Sequence, residues 1–319
     1  MKSQNMICET PILHGGNIQG NQLYIKREDT IPFSFGGNKV RIAQEYFMDM
    51  MQKRNDCIIG YGNTRSNLCR VLSNLSTSMN IPCYIISPND DDDTRTVTNN
   101  SKLVELCGAN VYMCNKTDVA KTVESVIQIC KKKGLSPYYI YGSMYGKGNE
   151  SVPVRAYAKV YQEICRQEQR MNLKFDYIFL ATGTGMTQAG LVSGAELNGD
   201  LRNIVGISVA RKSAQAYVAI QDFLKAYLNE RNTTSEIKNT ITICDEYLCD
   251  GYGKYNPAIL KTILNNYRMR GIPMDTTYVG KGFYGMEEYI KKMKIIGKNI
   301  LFIHTGGTPL YFDILNKLE

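Results

Sequence analysis

Lys39 stands in the run Phe33-Ser34-Phe35-Gly36-Gly37-Asn38-Lys39-Val40-Arg41, where two glycines precede a basic side chain. Lysine is the one basic residue whose amine, once desolvated, loses its proton and attacks a carbonyl, and glycine lets a bulky group lie close against the main chain. The run therefore fits a carbonyl-binding nucleophile or, alternatively, an exposed lysine behind a glycine turn. Two further glycine-rich stretches bear on that choice. Asp176 to Ala181, apolar and β-prone, runs into Thr182-Gly183-Thr184-Gly185-Met186-Thr187-Gln188-Ala189-Gly190 and then into a helical pattern. At such a junction the first N–H groups of the helix are unpaired donors with partial positive charge, and Thr184 and Thr187 add hydroxyls. The stretch reads as a cup for one phosphate group. It is not the dinucleotide fingerprint, because Gln188 replaces its third glycine, and no Gly-Lys-Ser or Gly-Lys-Thr pattern occurs. Gly60-Tyr61-Gly62-Asn63-Thr64-Arg65-Ser66-Asn67 is a second such turn, whose Ser66 and Asn67 serve either an anion or the plain capping of a helix. A lysine with two anion cups fits a phosphorylated aldehyde cofactor and a carboxylate substrate.

The elements around these loops alternate. Strand patterns at Cys57 to Gly60, Cys83 to Ser87 and Val111 to Cys114 are followed by helical patterns at Ser66 to Met79, Arg95 to Cys107 and Val119 to Lys132. Tyr138 to Tyr141 leads to a helix near Pro153 to Glu168, and Ile204 to Val209, Ile241 to Cys244 and Asn299 to His304 continue the series. Leu23 to Lys26 reads as an earlier strand. Alternation of this kind predicts α/β architecture with parallel sheets and right-handed crossovers. We expect two lobes, each a mainly parallel twisted sheet flanked by helices, with the cofactor cleft between them at the carboxyl ends of the strands. The expected division is a large domain of residues 1–48 plus 150–319 and an inserted small domain of residues 49–149.

The 319 residues carry a formal charge of +8, but the basic residues are scattered, and Lys131-Lys132-Lys133 before Gly134 reads as a solvated helix end. Nucleic-acid binding is not expected. No apolar run approaches the roughly 20 residues of a membrane span, and the first ten residues lack a signal-peptide pattern. Ten cysteines without a C-x-x-C pair predict reduced thiols and a cytoplasmic protein. With two histidines, His14 and His304, far apart in sequence, a His-based metal site or a Ser-His-Asp triad is hard to build. No metal is expected; the acidic run Asp90 to Asp93 lacks calcium-loop spacing.

Lys26-Arg27-Glu28-Asp29, Pro32 and Gly36-Gly37-Asn38-Lys39-Val40-Arg41 together resemble the cofactor-lysine motif of the D-cysteine desulfhydrase and 1-aminocyclopropane-1-carboxylate deaminase family of pyridoxal-phosphate enzymes, which has the tryptophan synthase β-like fold (fold type II). The resemblance extends through Gly62 to Arg70, Thr182 to Gly190, Gly251-Tyr252-Gly253, Tyr278-Val279-Gly280-Lys281 and Phe302-Ile303-His304-Thr305-Gly306-Gly307. It implies that Lys39 holds pyridoxal 5'-phosphate and acts as the base at Cα, while Ser66 and Asn67 bind the substrate carboxylate and the cofactor's ring oxygen. It further implies that Gly183, Thr184, Gly185, Met186 and Thr187 hold the phosphate, that Tyr278 and Tyr252 act beside the substrate side chain, and that Thr305 faces the pyridine nitrogen. The small amino-acid substrate and a homodimer are implied in the same way.

Three positions depart from the family pattern. Val279 replaces the acidic residue that pairs with the pyridine nitrogen in the cyclopropane deaminase branch. Arg65 stands where glutamine is usual and either clamps a second acidic group of the substrate or points to solvent; Leu68 stands where histidine is frequent. The expected activity is α,β-elimination from a small amino acid with a β-leaving group, D-cysteine being the nearest example. The alternatives are a 1-aminocyclopropane-1-carboxylate-type deaminase, a β-replacement synthase, or a non-catalytic protein that binds pyridoxal phosphate or an amino acid.

Overall fold

The structure, a computed structural model, describes residues 8–89, 96–233 and 237–318. The acidic run at 90–93 lies outside the described residues. In chain order the strands are β1 (Ile12–Ile18), β2 (Asn21–Arg27), β3 (Cys57–Tyr61), β4 (Cys83–Pro88), β5 (Asn110–Cys114), β6 (Pro137–Tyr139), β7 (Tyr177–Thr182), β8 (Asn203–Ser208), β9 (Thr242–Cys244) and β10 (Asn299–His304). The helices are α1 (Asn38–Gln52), α2 (Asn67–Met79), α3 (Asn99–Leu106), α4 (Val119–Lys132), α5 (Ser151–Met171), α6 (Met186–Leu197), α7 (Ser213–Glu230), α8 (Pro257–Arg270), α9 (Val279–Lys292) and α10 (Thr308–Phe312).

Two sheets result, six-stranded in the order β1-β2-β10-β7-β8-β9 and four-stranded in the order β5-β4-β3-β6. All pairings are parallel except β1 with β2, an antiparallel hairpin at the edge of the large sheet. The expected α/β class and its two parallel sheets are borne out. The central strands of the large sheet are apolar on both faces, as strands covered twice must be. Ile178, Leu180, Leu301 and Ile303 pack toward α5, α6 and α7, whereas Phe179, Ile300 and Phe302 pack toward α8 and α9. The first of these cores continues without a break into the small sheet through Tyr46 and Phe47 of α1 and Leu72 of α2.

Local chemistry sets the helix ends. Ser66 caps α2 by accepting the Cys69 N–H, Thr98 and Ser101 form a capping box on α3, and Asn256 with Pro257 begins α8, which Gly271 ends in the left-handed conformation. Lys131, Lys132 and Lys133 close the last turn of α4, where cations suit the helix dipole. The ends of β3, β4, β6, β7, β8 and β10 all open toward one space between the sheets.

Candidate active site

A cavity of about 490 Å³ occupies that space. Tyr61 ends β3 and Gly62 and Asn63 follow it, Asn89 follows β4, Tyr141 lies past β6, Gly183 follows β7, Ala210 and Arg211 lie past β8, and Thr305 follows β10. Each strand thus delivers its carboxyl end, as open parallel sheets do. The basic residues Lys39, Arg65, Lys116, Arg211 and Lys254 line it; among the described residues no carboxylate does.

Lys39 enters from the first turn of α1. Among the described residues its amine makes no hydrogen bond or ion pair, and burial pushes its pKa down to about 8. The glycines before it serve a different purpose from the one their sequence suggests. Gly36 and Gly37 adopt φ of 63° and 100°, and a Cβ on either would stand 2.2 Å from the Asp29 carbonyl oxygen or 2.9 Å from that of Thr305. What lies against this main chain is the protein's own backbone. The Asn38 N–H donates to the Thr305 carbonyl at 3.0 Å, and the Asn38 side chain donates to Thr187 Oγ1 at 2.9 Å. The lysine turn is thereby tied to both the β10 loop and the β7 loop.

Beneath it lies a buried ionic network. Arg41 pairs with Glu28 at 2.7 Å and Glu163 at 3.0 Å, and Lys26 pairs with Glu163 at 2.6 Å. Tyr157 and Thr10 complete Glu28's hydrogen bonds. These side chains come from the segment before β1, from β2 and the turn after it, and from α1 and α5, so the charged part of the Lys26-to-Asp29 motif fixes the position of α1. The fully buried guanidinium of Arg70 adds a bond to Ser34 Oγ at 3.0 Å, anchoring the same turn from α2.

Gly183, Thr184 and Thr187 line the cavity at the start of α6, where the leading N–H groups have no acceptor within the helix. Gly185 must be glycine for packing: its φ is 95° and a Cβ would meet Ile220 at 2.6 Å. Met186 does not line the cavity. Its side chain is fully buried, with Sδ accepting the Tyr46 hydroxyl at 3.8 Å, so only its backbone belongs to the cup. Gln188 lies fully buried over Gly206 and donates to the Thr242 carbonyl at 2.8 Å. Across the cavity Ser66 caps α2 and also lines the wall, and the Asn67 side-chain carbonyl beside it accepts from Asn100 at 2.9 Å.

Tyr252 and Tyr278 meet hydroxyl to hydroxyl, their rings edge to face at 5.8 Å. Burial holds both phenols above the usual tyrosine range. Asp275, absent from the sequence-derived site, holds Tyr278 in place by accepting the N–H groups of Thr277, Tyr278 and Val279 at 2.8, 2.7 and 3.1 Å. Burial pushes its carboxyl up to about 6 in spite of these donors. Val279 is fully buried in the core under α9 and does not line the cavity, whereas Thr305 and Leu68 do. Arg65 reaches across to the loop of Tyr252, its Nε 2.9 Å from where a Cβ on Gly253 would stand. Its stem therefore packs under that loop instead of projecting into solvent.

Neither histidine is at the cavity. His14 is exposed and bonded to Gln22, while His304 is fully buried, bonded to the Pro273 carbonyl and near Asp29, with burial holding its imidazole below the usual value. Tyr141 and Arg211 line the cavity without a sequence motif to announce them, and Tyr61 lies inside the glycine-rich turn of residues 60–67 without having been assigned a role; their places at strand ends were the available signal.

Residues 4–306 match the family described as pyridoxal-phosphate dependent enzyme, and the chain belongs to it. A D-cysteine desulfhydrase of Serratia proteamaculans is 28% identical over 298 residues, covering 92% of this chain and 88% of that protein; one of Yersinia pestis is 26% identical over the same shares. The crystal structure of an ACC deaminase homologue superposes with a TM-score of 0.83 at 26% identity, covering 99% of this chain and 94% of the other. Threonine deaminase isoform 2 of Solanum lycopersicum, at 18% identity and a TM-score of 0.65 over 98% and 82% of the two chains, shares the fold. The expected cofactor, pyridoxal phosphate, and the expected class, an enzyme of the D-cysteine desulfhydrase and deaminase type with the fold of type II, stand. Among the described residues no helix is long and apolar enough to cross a membrane.

Proposed function

We propose that this protein is a pyridoxal-phosphate-dependent lyase that removes the Cα proton and the β-leaving group of a small amino acid, D-cysteine being the model substrate, the resulting enamine being hydrolysed by one water to give pyruvate and ammonia beside the leaving group. The observation that carries the proposal is the unpartnered amine of Lys39 in one cavity with the amino end of α6 and the Ser66-Asn67 turn. That donor set fits the cofactor: an amine for its aldehyde, neutral N–H and hydroxyl donors for its phosphate, and a second helix start for a carboxylate. Bound pyridoxal phosphate supplies an electron sink for charge developing at Cα.

In this reading Gly183, Thr184, Gly185, the Met186 backbone and Thr187 hold the phosphate, and Asn67 and Thr305 contact the ring. Ser66, Asn67 and Arg65 face the substrate. Lys39 anchors the cofactor and, once displaced by the substrate amine, stands beside Cα as base. Its low pKa suits this task near neutral pH, since the ideal base titrates close to the working pH. Tyr278, steadied by Tyr252, gives the departing β-group its proton. The apolar, buried Val279 and the neutral Thr305 supply no carboxylate for the pyridine nitrogen, which favours elimination of a good leaving group over ring opening. The lobe division at residues 49–149, a homodimer and a cytoplasmic location complete the proposal.

Product analysis tests it. Cofactor-loaded protein given D-cysteine yields pyruvate and sulfide, and Lys39→Ala lowers turnover on the order of a thousandfold or more. Formation of 2-oxobutanoate from 1-aminocyclopropane-1-carboxylate, with no pyruvate from either cysteine, replaces this reading with the deaminase one that the ACC deaminase homologue's fold also accommodates.

A further inference from the structure

Lys281 is fully buried in the first turn of α9, three residues beyond Tyr278, the residue that precedes the helix. Its amine reaches out of the helix and donates to two backbone carbonyls of the neighbouring loop, Leu248 at 2.8 Å and Gly251 at 3.0 Å. Between β9 and α8 that loop has no strand or helix of its own. It turns through Cys249, Gly251 and Gly253, with φ of 53°, 117° and 76°, and its tip is Tyr252. Among the described residues no carboxylate is bonded to the amine. A buried ammonium with no carboxylate bonded to it is costly; burial pushes its pKa down to about 8 in spite of the nearby Asp275 carboxylate, so a protein that needed only to fill this space would do better with an apolar side chain.

We propose that Lys281 is a positioning residue for the tyrosine pair: its two N–H donors fix the base of the loop that sets the Tyr252 hydroxyl on that of Tyr278. The start of α9 then holds the loop twice, at the tip through Tyr278 just before the helix and at the base through Lys281 in its first turn. The role required is that of a double donor, and glutamine, with two amide N–H groups and no charge, can meet it in part. This inference rests on the catalytic reading of Tyr278 given above.

A double-mutant cycle in the cofactor-loaded enzyme tests it, with hydrogen exchange of the 248–253 amides measured on the same proteins. Misplacing a reacting group by about 1 Å costs about 100-fold. Lys281→Met is expected to lower kcat on D-cysteine by about tenfold to 100-fold with little change in KM and to speed exchange in the loop. In a Tyr252→Phe background the same change costs less than about threefold, because the group it positions is already gone. Lys281→Gln recovers most of the rate and the protection, and it decides the matter if Lys281→Met does not fold. Equal losses with and without Tyr252, or a Gln variant as impaired as the Met one, overturn the proposal. A wild-type enzyme inactive on D-cysteine but with loop protection lost in the Met variant and restored in the Gln variant leaves the pinning standing and refutes the substrate.

Discussion

The amine of Lys39 is neutral more readily than an ordinary lysine because it is buried and, among the described residues, no carboxylate pairs with it. The sign of the effect is testable. With its pKa lowered from 10.5 to about 8, the reactive neutral form grows about tenfold per pH unit up to that point and is nearly complete above it. The rate at which cofactor-free protein takes up pyridoxal phosphate, followed by visible absorbance, should therefore rise from pH 6 to 8 and level off. A rise continuing toward pH 10 would mean an unperturbed amine. That Lys39, Ser66 and Thr187 belong to one cavity was legible from glycine-rich runs beside strand and helix patterns, and the two tyrosines entered through the family resemblance. Asp275, Lys281 and Arg70 were not, since their roles depend on burial and on which backbone groups they meet. The glycines at 36 and 37 were legible as special but for the wrong reason: a close approach was required, and the approaching group is the backbone of Asp29 and Thr305.

At the level of elements, the strand and helix alternation from Cys57 onward came through within a few residues, because apolar runs and helical periodicity are local signals. β1 escaped notice: its Leu13-His14-Gly15-Gly16-Asn17 segment has no alternation, and an edge strand with a register shift needs none. The site itself is held by turns whose geometry allows little change. Gly36→Ala places a methyl group against a backbone carbonyl at a positive φ, and thermal unfolding should show a loss on the order of 1–3 kcal/mol. Asp275→Ala leaves three N–H groups at the start of α9 without their acceptor, and a loss of about 2–4 kcal/mol in denaturant unfolding is expected together with a lower kcat, because Tyr278 is carried by those same amides.

Over the whole molecule, two parallel sheets aim their carboxyl ends at one cavity, an outcome that followed from the alternation of elements and from the rule that ligands gather at strand ends. The contacts that close it were invisible in sequence, being long-range. The Asn99 N–H donates to Asp313 at 3.0 Å, the Asn99 side chain bonds the Pro309 carbonyl at 3.3 Å, and Arg65 packs under Gly253. All three join the small-sheet side of the cavity to the large-sheet side. Asp313→Ala should raise KM about twofold to fivefold while leaving kcat nearly unchanged, as steady-state kinetics would show, if these contacts hold the cavity closed around substrate. The central claim is that Lys39 moves the Cα proton. D-alanine, which has no leaving group, isolates that step: in deuterated water the cofactor-loaded protein is predicted to erase the Cα–H signal of D-alanine in the proton NMR spectrum, and the Lys39→Ala variant to leave it intact. Retention of that signal with the wild-type protein, or equal exchange by the variant, would contradict the account.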